Sequence, residues 1–362
     1  MAKNGSCGFA HSALVDEEGG LWMTGSNVHG QLGFGDCEIR DKFTFLMTSI
    51  VSVSCGGFFT LALDSNGRVW AWGNNQFSQL GKTASDIIKT PEMILGLPKI
   101  SAVATGDYHS LFLTVDGKVL SCGRNDSKQL GIGNEAFDIN CPIQQVHIRQ
   151  KIIQISAGSF HSLFLDDSNV MWGCGDNGSS QVYPGLGTSI LPLKIDADDE
   201  VTISKISVGS NHSNVSAAID NENNLWVSTV LSFRSPGYTH YFSRIRKIEL
   251  PEPCIDVTHG ESISFALTIS GKVYCIGENV LGQIGTKESY KNFETIPQLS
   301  SIGKVKSIAA GKYFSLFITS NGEVYGSGVN RTGQLGIPGD DIIRETPQQI
   351  LIERKSHKSA KK

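Results

Sequence analysis

Residues 328–336 read "GVNRTGQLG", a polar phrase bracketed by glycines. Related phrases stand at 25–33 ("GSNVHGQLG"), 73–81 ("GNNQFSQLG"), 123–131 ("GRNDSKQLG") and 277–285 ("GENVLGQIG"). A second phrase precedes each of them: a glycine, two variable residues, often His-Ser, then an apolar run. Its anchoring glycines read as Gly8, Gly57, Gly106, Gly158, Gly209, Gly260 and Gly311, with spacings of 49, 49, 52, 51, 51 and 51 residues. A fixed period in this range marks a solenoid, a propeller or an array.

Within each unit the apolar period is two. Residues 305–328, "VKSIAAGKYFSLFITSNGEVYGSG", read as strand, strand, turn, strand. Asn321-Gly322 is a hairpin signal of the type I′ kind, in which both central residues need positive φ. Asn66-Gly67, Asp116-Gly117 and Ser270-Gly271 are its equivalents. After the glycine-bracketed phrase comes a loop, then a proline among apolar residues, as in "TPEMI" (90–94), "CPIQQV" (141–146) and "TPQQI" (346–350). Proline suits a strand start or a sheet edge, so these segments supply an outer fourth strand. No long amphipathic helix is present. Four short antiparallel strands written seven times predict an all-β fold, a seven-bladed β-propeller of about 51-residue repeats. It covers residues 1–353, with repeat five (about 203–250) degenerate and 354–362 a basic C-terminal tail. The segment "PQQILIERK" is expected near the N-terminal strand, where it helps close the ring.

The bulk properties agree. The chain has 362 residues and 40 glycines, and the glycines show no three-residue period, which excludes collagen. No apolar run reaches the roughly 18 residues of a membrane span, and the N-terminus lacks a secretory h-region. The expectation is a soluble intracellular monomer, cytoplasmic or nuclear, with no membrane contact. The eight cysteines include no C-x-x-C pair, so they read as buried structural thiols and no metal site is expected. Net charge is −4; the last ten residues, "ERKSHKSAKK", hold five Lys/Arg against one Glu, leaving −8 on the rest. An acidic body argues against nucleic-acid binding by the propeller. The tail reads as an import or acidic-partner segment, or as a solvated end.

Several positions recur. Gly328, Gly333 and Gly336 permit left-handed backbone. Asn27, Asn75, Asn125, Asn279 and Asn330 suit turns, where Asn bonds its own loop. Gln31, Gln79, Gln129, Gln283 and Gln334 are placed to satisfy loop amides, and the following Leu or Ile to plug between blades. The phrase follows a strand without opening a helix, so a dinucleotide-binding fingerprint is not supported and no cofactor is expected. His11, His109, His161 and His212 follow the anchor glycines, with Thr60, Ile263 and Phe314 in the remaining places. Ring-related histidines do not converge on one metal, so they read as structural and hydrogen-bonded. Gly106, His109, Gly158, His161, Gly311, Asn330 and Gln334 are thus structural repeat positions. Trp22, Trp70, Trp172, Tyr274 and Tyr325 read as core aromatics.

Together these motifs resemble the repeat of the regulator of chromosome condensation family, best in residues 106–133 and 311–336. The resemblance covers essentially residues 1–353 and implies a seven-bladed propeller. The founding member of that family exchanges guanine nucleotide on a small nuclear GTPase and binds chromatin. It uses one propeller face, an inserted β-wedge and a basic N-terminal tail. Repeat spacings of 49 to 52 leave no room for such a wedge here, and this chain begins inside its first repeat.

Repeat five departs from the pattern. Residues 227–247, "VSTVLSFRSPGYTHYFSRIRK", lack the glycine-bracketed phrase, and Gly209 to Trp226 spans 17 positions against 14 in most repeats, which reads as a hairpin three residues longer. Phe233, Arg234, Tyr238, Tyr241, Arg244 and Arg246 are partner-binding candidates, because exposed aromatics and arginines are common interface anchors. A drifted blade whose aromatics stay in the core is the alternative. No nucleophile elbow or carboxylate pair stands out, and no catalytic residue is identified. Two functional readings follow: a non-catalytic scaffold that binds protein partners through loop-rich faces, or a guanine-nucleotide exchange factor for a Ran-type small GTPase.

Overall fold

A computed structural model describes residues 1–133, 139–178, 181–182, 187–195, 201–209, 213–228 and 245–353. Its strands form seven four-stranded antiparallel sheets, the blades of a propeller. The first blade runs β1 (Ala2–Cys7), β2 (His11–Asp16), β3 (Leu21–Gly25), β4 (Arg40–Met47), paired in that order. The last runs β25 (Val305–Ala310), β26 (Phe314–Thr319), β27 (Val324–Val329), β28 (Ile343–Ile350). Every blade is one contiguous stretch of chain, so repeat and blade coincide.

The burial pattern explains the strand sequences. Second strands such as β2, β26 and β10 (His109–Thr114) are buried throughout, since neighbouring blades cover both faces of each sheet. In the outer strand β4 only Phe43 is buried, and the rest are exposed or half-buried. Inner strands have an unpaired edge, and serines of the preceding blade accept from their amides. Ser6 Oγ accepts from Cys55 N at 2.9 Å, Ser54 Oγ from Thr105 N at 3.1 Å and Ser156 Oγ from Val208 N at 3.1 Å. Seven of the eight cysteines are buried, and Cys37 is half-buried.

The ring closes by packing, without a strand shared between first and last blades. Ala2, Cys7, Leu14, Trp22 and Phe43 share one core with Phe314, Leu316, Leu335 and Ile350. Ala2 N donates to Gly322 O at 3.2 Å, and Ser12 Oγ to Gln334 O at 2.6 Å. Met1 and Ala2 line a cleft with Gln349 and Ile350, which places the "PQQIL" segment where the closing role requires.

Three details differ from the sequence reading. The strand-two-to-three hairpins are not type I′. Gly67 has φ +79°, but Asn66 is not in the left-handed region; Gly67 N donates to Asp64 O at 3.0 Å and Asp64 N to Arg68 O at 2.9 Å. That is a type I turn closed by a left-handed G1-bulge residue. Asn169 (φ +62°) and Asn223 (φ +65°) hold the same place, as Asn tolerates. In repeat two the anchor is Gly56, not Gly57: Gly56 N reaches Phe59 O at 2.9 Å, as Gly8 N reaches His11 O at 2.9 Å. Phe59 therefore stands where His11 does, and Thr60 where Ser12 does. In repeat five Gly209 N reaches Val215 O at 2.8 Å, so the three extra residues lie in the turn between strands one and two. The following hairpin is of ordinary length, with Asp220 N to Asn224 O at 3.1 Å matching Asp16 N to Gly20 O at 2.9 Å. Val215, not His212, holds the histidine's place, and His212 lies outside the described residues.

Candidate protein-binding face

In a four-stranded meander the one–two and three–four connections emerge at the same end, so both phrases build one face of the ring. The three–four phrase is a folded loop with its own internal partners. Asn330 Oδ1 accepts from Leu335 N at 3.0 Å, and Asn330 Nδ2 donates to Ile337 O at 2.6 Å. Gln334 Oε1 accepts from Thr332 N at 2.9 Å. Asn27, Asn75, Asn125, Asn177 and Asn279 each accept from the residue five positions on, at 2.8–3.0 Å. The backbone carbonyl of the Gln then joins blades: Ser110 Oγ donates to Gln79 O at 2.6 Å and Ser162 Oγ to Gln129 O at 2.7 Å.

The histidines complete that joint. His109 Nε2 lies 2.9 Å from Ser162 Oγ, His161 Nε2 2.9 Å from Ser216 Oγ and His11 Nε2 3.1 Å from Thr60 Oγ1. The Ser162 and Thr60 hydroxyl protons go to Gln carbonyls, so the ring Nε2–H of His109 and His11 is the donor. Burial pushes His11 and His109 down to about 3 and His161 to about 4. These histidines are neutral struts between blades. Among the described residues no group of three His, Cys, Asp or Glu side chains is placed to hold a metal ion.

The variable residues of the one–two loop converge at the channel mouth. Phe9 of blade one meets Phe58 of blade two edge-on at 4.9 Å between centroids and Tyr108 of blade three at 6.3 Å. Tyr108 also meets Phe77 at 5.3 Å, and His29 meets Phe58 at 4.8 Å. Gly57 leaves room for this arrangement, since a Cβ there would lie 3.1 Å from the Phe9 ring. Arg124 stands over Phe77 and Tyr108, and Lys312 lies 5.4 Å from the rings of both Phe9 and Tyr313. A hydrogen bond with Glu261, aided by burial, pushes the Tyr313 hydroxyl up to about 12. Phe9, Phe58, Phe77, Tyr108, Phe160 and Tyr313 are all half-buried. They form an aromatic crown across blades seven, one, two, three and four.

The predicted partner residues Phe233, Arg234, Tyr238, Tyr241 and Arg244 lie outside the described residues. Arg246 is exposed on β20 (Arg246–Ile248), the outer strand of blade five, opposite Val227. Gly106, Gly158 and Gly311 make the tight one–two turns, and His109, His161, Asn330 and Gln334 make the joints described above. Sequence reasoning missed the crown, which, Phe77 apart, occupies the two places treated as variable. An aromatic recurs there in Phe9, Phe58, Tyr108, Phe160 and Tyr313, and that recurrence was a readable signal.

Fold and face together define a propeller of seven contiguous repeats whose blade joints are written by the Asn, Gln and His-Ser positions. The RCC1-like domain family matches residues 2–228, and the regulator of chromosome condensation (RCC1) repeat matches 270–318 and 305–334. The chain belongs to the RCC1-like domain family. The human Regulator of chromosome condensation is 26% identical over 257 residues, covering 64% of this chain and 59% of that protein. The chain thus spans less than two-thirds of the length of these curated relatives, the human, mouse and Xenopus laevis proteins of that name. Human WBSCR16 superposes with a TM-score of 0.81 at 22% identity, over 92% of this chain and 95% of that one. Prp20p of Saccharomyces cerevisiae, studied for its binding to Gsp1p and histones, superposes with a TM-score of 0.55 at 21% identity, over 96% and 76%. At these identities the superpositions establish the fold. No helix among the described residues is long and apolar enough to cross a membrane.

Proposed function

We propose that this chain is a non-catalytic propeller that binds protein partners through its one–two and three–four loop face. The aromatic crown carries the reading. Half-buried aromatics clustered around ring-stacked cations are the usual composition of interface hot spots, and a rigid ring presents them without ordering cost. The opposite face shows scattered apolar side chains such as Val115 and Ile269, at 59% and 67% exposure.

The test compares capture of cellular proteins by wild type, by Phe58→Ser with Tyr108→Ser, and by Val115→Ser with Ile269→Ser, with thermal melts confirming folding. Loss of the crown should reduce partner capture by roughly ten-fold or more, the scale of hot-spot truncation, while the opposite-face pair retains it. Equal capture by all three proteins would sink the reading.

A second reading is nucleotide exchange on a Ran-type GTPase, favoured by family membership and by the binding of the structural neighbour Prp20p to Gsp1p. It predicts faster release of a fluorescent guanine nucleotide from such a GTPase at substoichiometric propeller. The scaffold reading predicts no acceleration even at equimolar protein.

A further inference from the structure

Two cations in the crown are held against aromatic rings, and among the described residues neither has its donors filled. The Arg124 guanidinium carbon lies 5.4 Å from the Phe77 centroid, 5.7 Å from Tyr108 and 5.8 Å from Phe160. Its one acceptor among the described contacts is a single oxygen, Asp126 Oδ2. Nε donates to it at 2.9 Å and Nη2 also reaches it. The other Asp126 oxygen turns to the Ser127 amide at 3.0 Å. The Nη1 edge of the guanidinium makes no hydrogen bond among the described residues. Across the mouth, Lys312 Nζ lies 3.9 Å from Glu261 Oε1, beyond hydrogen-bond length. The side chains of Arg124 and Lys312 are 29% and 26% exposed.

We propose that this face recognises an acidic protein segment, with Arg124 and Lys312 as its two anchors and Asp126 as an internal carboxylate that the ligand displaces or joins. The proposal rests on the protein-binding reading and names the partner's chemistry. Contact with three rings and the pair with Asp126 already confine the guanidinium, so little side-chain entropy remains to be lost on binding a carboxylate. The Arg124–Asp126 ion pair shows that a carboxylate fits there. The rings between the anchors suit apolar side chains flanking the acids. A polyanion is disfavoured, because the residues before the tail carry a net −8 and Asp126 and Glu261 stand beside the anchors. A single carboxylate exchanges for Asp126 charge for charge.

The experiment measures binding of a fluorescein-labelled glutamate–phenylalanine hexapeptide to the full chain by anisotropy. A lysine–phenylalanine peptide and a phosphoserine–phenylalanine peptide serve as comparisons. Arg124→Gln should weaken the glutamate peptide by about ten-fold or more, and Lys312→Gln by a smaller factor, as truncating a desolvated charge pair does. Asp126→Asn should tighten it several-fold, because the internal competitor is gone. Glu278→Gln removes one negative charge from an exposed site on the same face and should change affinity by less than about two-fold, since solvent screens it. Equal gains from Asp126→Asn and Glu278→Gln would reduce the effect to bulk charge and overturn the proposal. So would an unchanged Arg124→Gln, no measurable glutamate-peptide binding, or a preference for the lysine or phosphoserine peptide. Crown aromatics that still govern partner capture in those cases would leave the protein-binding face standing and remove only its acidic ligand.

Discussion

Gly106→Ala should destabilise the ring by about 3 kcal/mol or more, in the upper range for overpacking a close-packed core. A Cβ there would lie 2.2 Å from the carbonyl oxygen of Gly158, on the next blade, and 2.3 Å from His109 Cε1. The first obstacle is backbone and cannot rotate away. The second is a ring pinned by its bond to Ser162 Oγ at 2.9 Å. Gly106 does not occupy the left-handed region, so the expected loss is steric and not conformational. Gly96→Ala is the matched control: a Cβ there meets nothing within 4 Å, but φ is +81°. It should cost only the roughly 1–2 kcal/mol of left-handed backbone. Denaturant midpoints of the two variants decide the matter, and equal losses would show that blade-to-blade approach does not demand glycine at 106.

The second large effect concerns a pairing written along the chain. Where the second residue of strand three is Trp22, Trp70, Trp172 or Trp226, strand two ends on Asp16, Asp64, Asp166 or Asp220; where Leu120, Tyr274 or Tyr325 stands instead, it ends on Thr114, Thr268 or Thr319. The structure supplies the reason. Trp226 Nε1 donates to Asp220 Oδ2 at 2.8 Å, and the other carboxylate oxygen accepts from the amides of Glu222 and Asn224 at 2.9 and 2.8 Å. Asp220→Thr should cost about 2–4 kcal/mol, because it strands a buried indole N–H and loosens a turn. Asp220→Thr with Trp226→Tyr should lose less than the sum of the two single changes, by about 1–2 kcal/mol, since the chain uses the Thr–Tyr pair elsewhere. Additive losses would refute the coupling.

The same carboxylate sets an acid limb. Burial alone would raise the Asp220 carboxyl, but the bonds from Trp226 and Asn224 outweigh it and hold the group below its ordinary 3.8. A depressed folded value means the stabilisation is complete above the ordinary value and is lost as pH falls through the depressed one. Asp220→Thr should therefore flatten the fall of stability on the acid side of 3.8 and leave the neutral-to-alkaline slope unchanged. Unfolding midpoints across that range test it.

Much of this architecture is legible in the chain, and the places where reading fails share a cause. Two adjacent glycines, Gly56 and Gly57, are equivalent on paper, and only the bond from Gly56 N to Phe59 O shows which one turns the chain. The three extra residues of repeat five are visible as a length, but their assignment to a turn depends on the pairing of Asp220 with Asn224. The Asn-Gly pairs locate hairpins correctly while leaving the turn type to the backbone, where only the glycine has positive φ.

The sequence by itself determined the seven units, their four strands, the hairpin positions and the glycine-bracketed loops. These depend on period-two burial and on left-handed turn residues, interactions between positions close along the chain. The tertiary structure alone decided what the variable positions do. Phe9, Tyr108 and Lys312 belong to three different repeats, and nothing local to any one of them says which side chains of the others it will meet, yet Phe9 of the first blade lies 6.3 Å from Tyr108 of the third. Closing the strip into a ring carries one end of every blade to a common mouth, and which side chains meet there is set by that curvature.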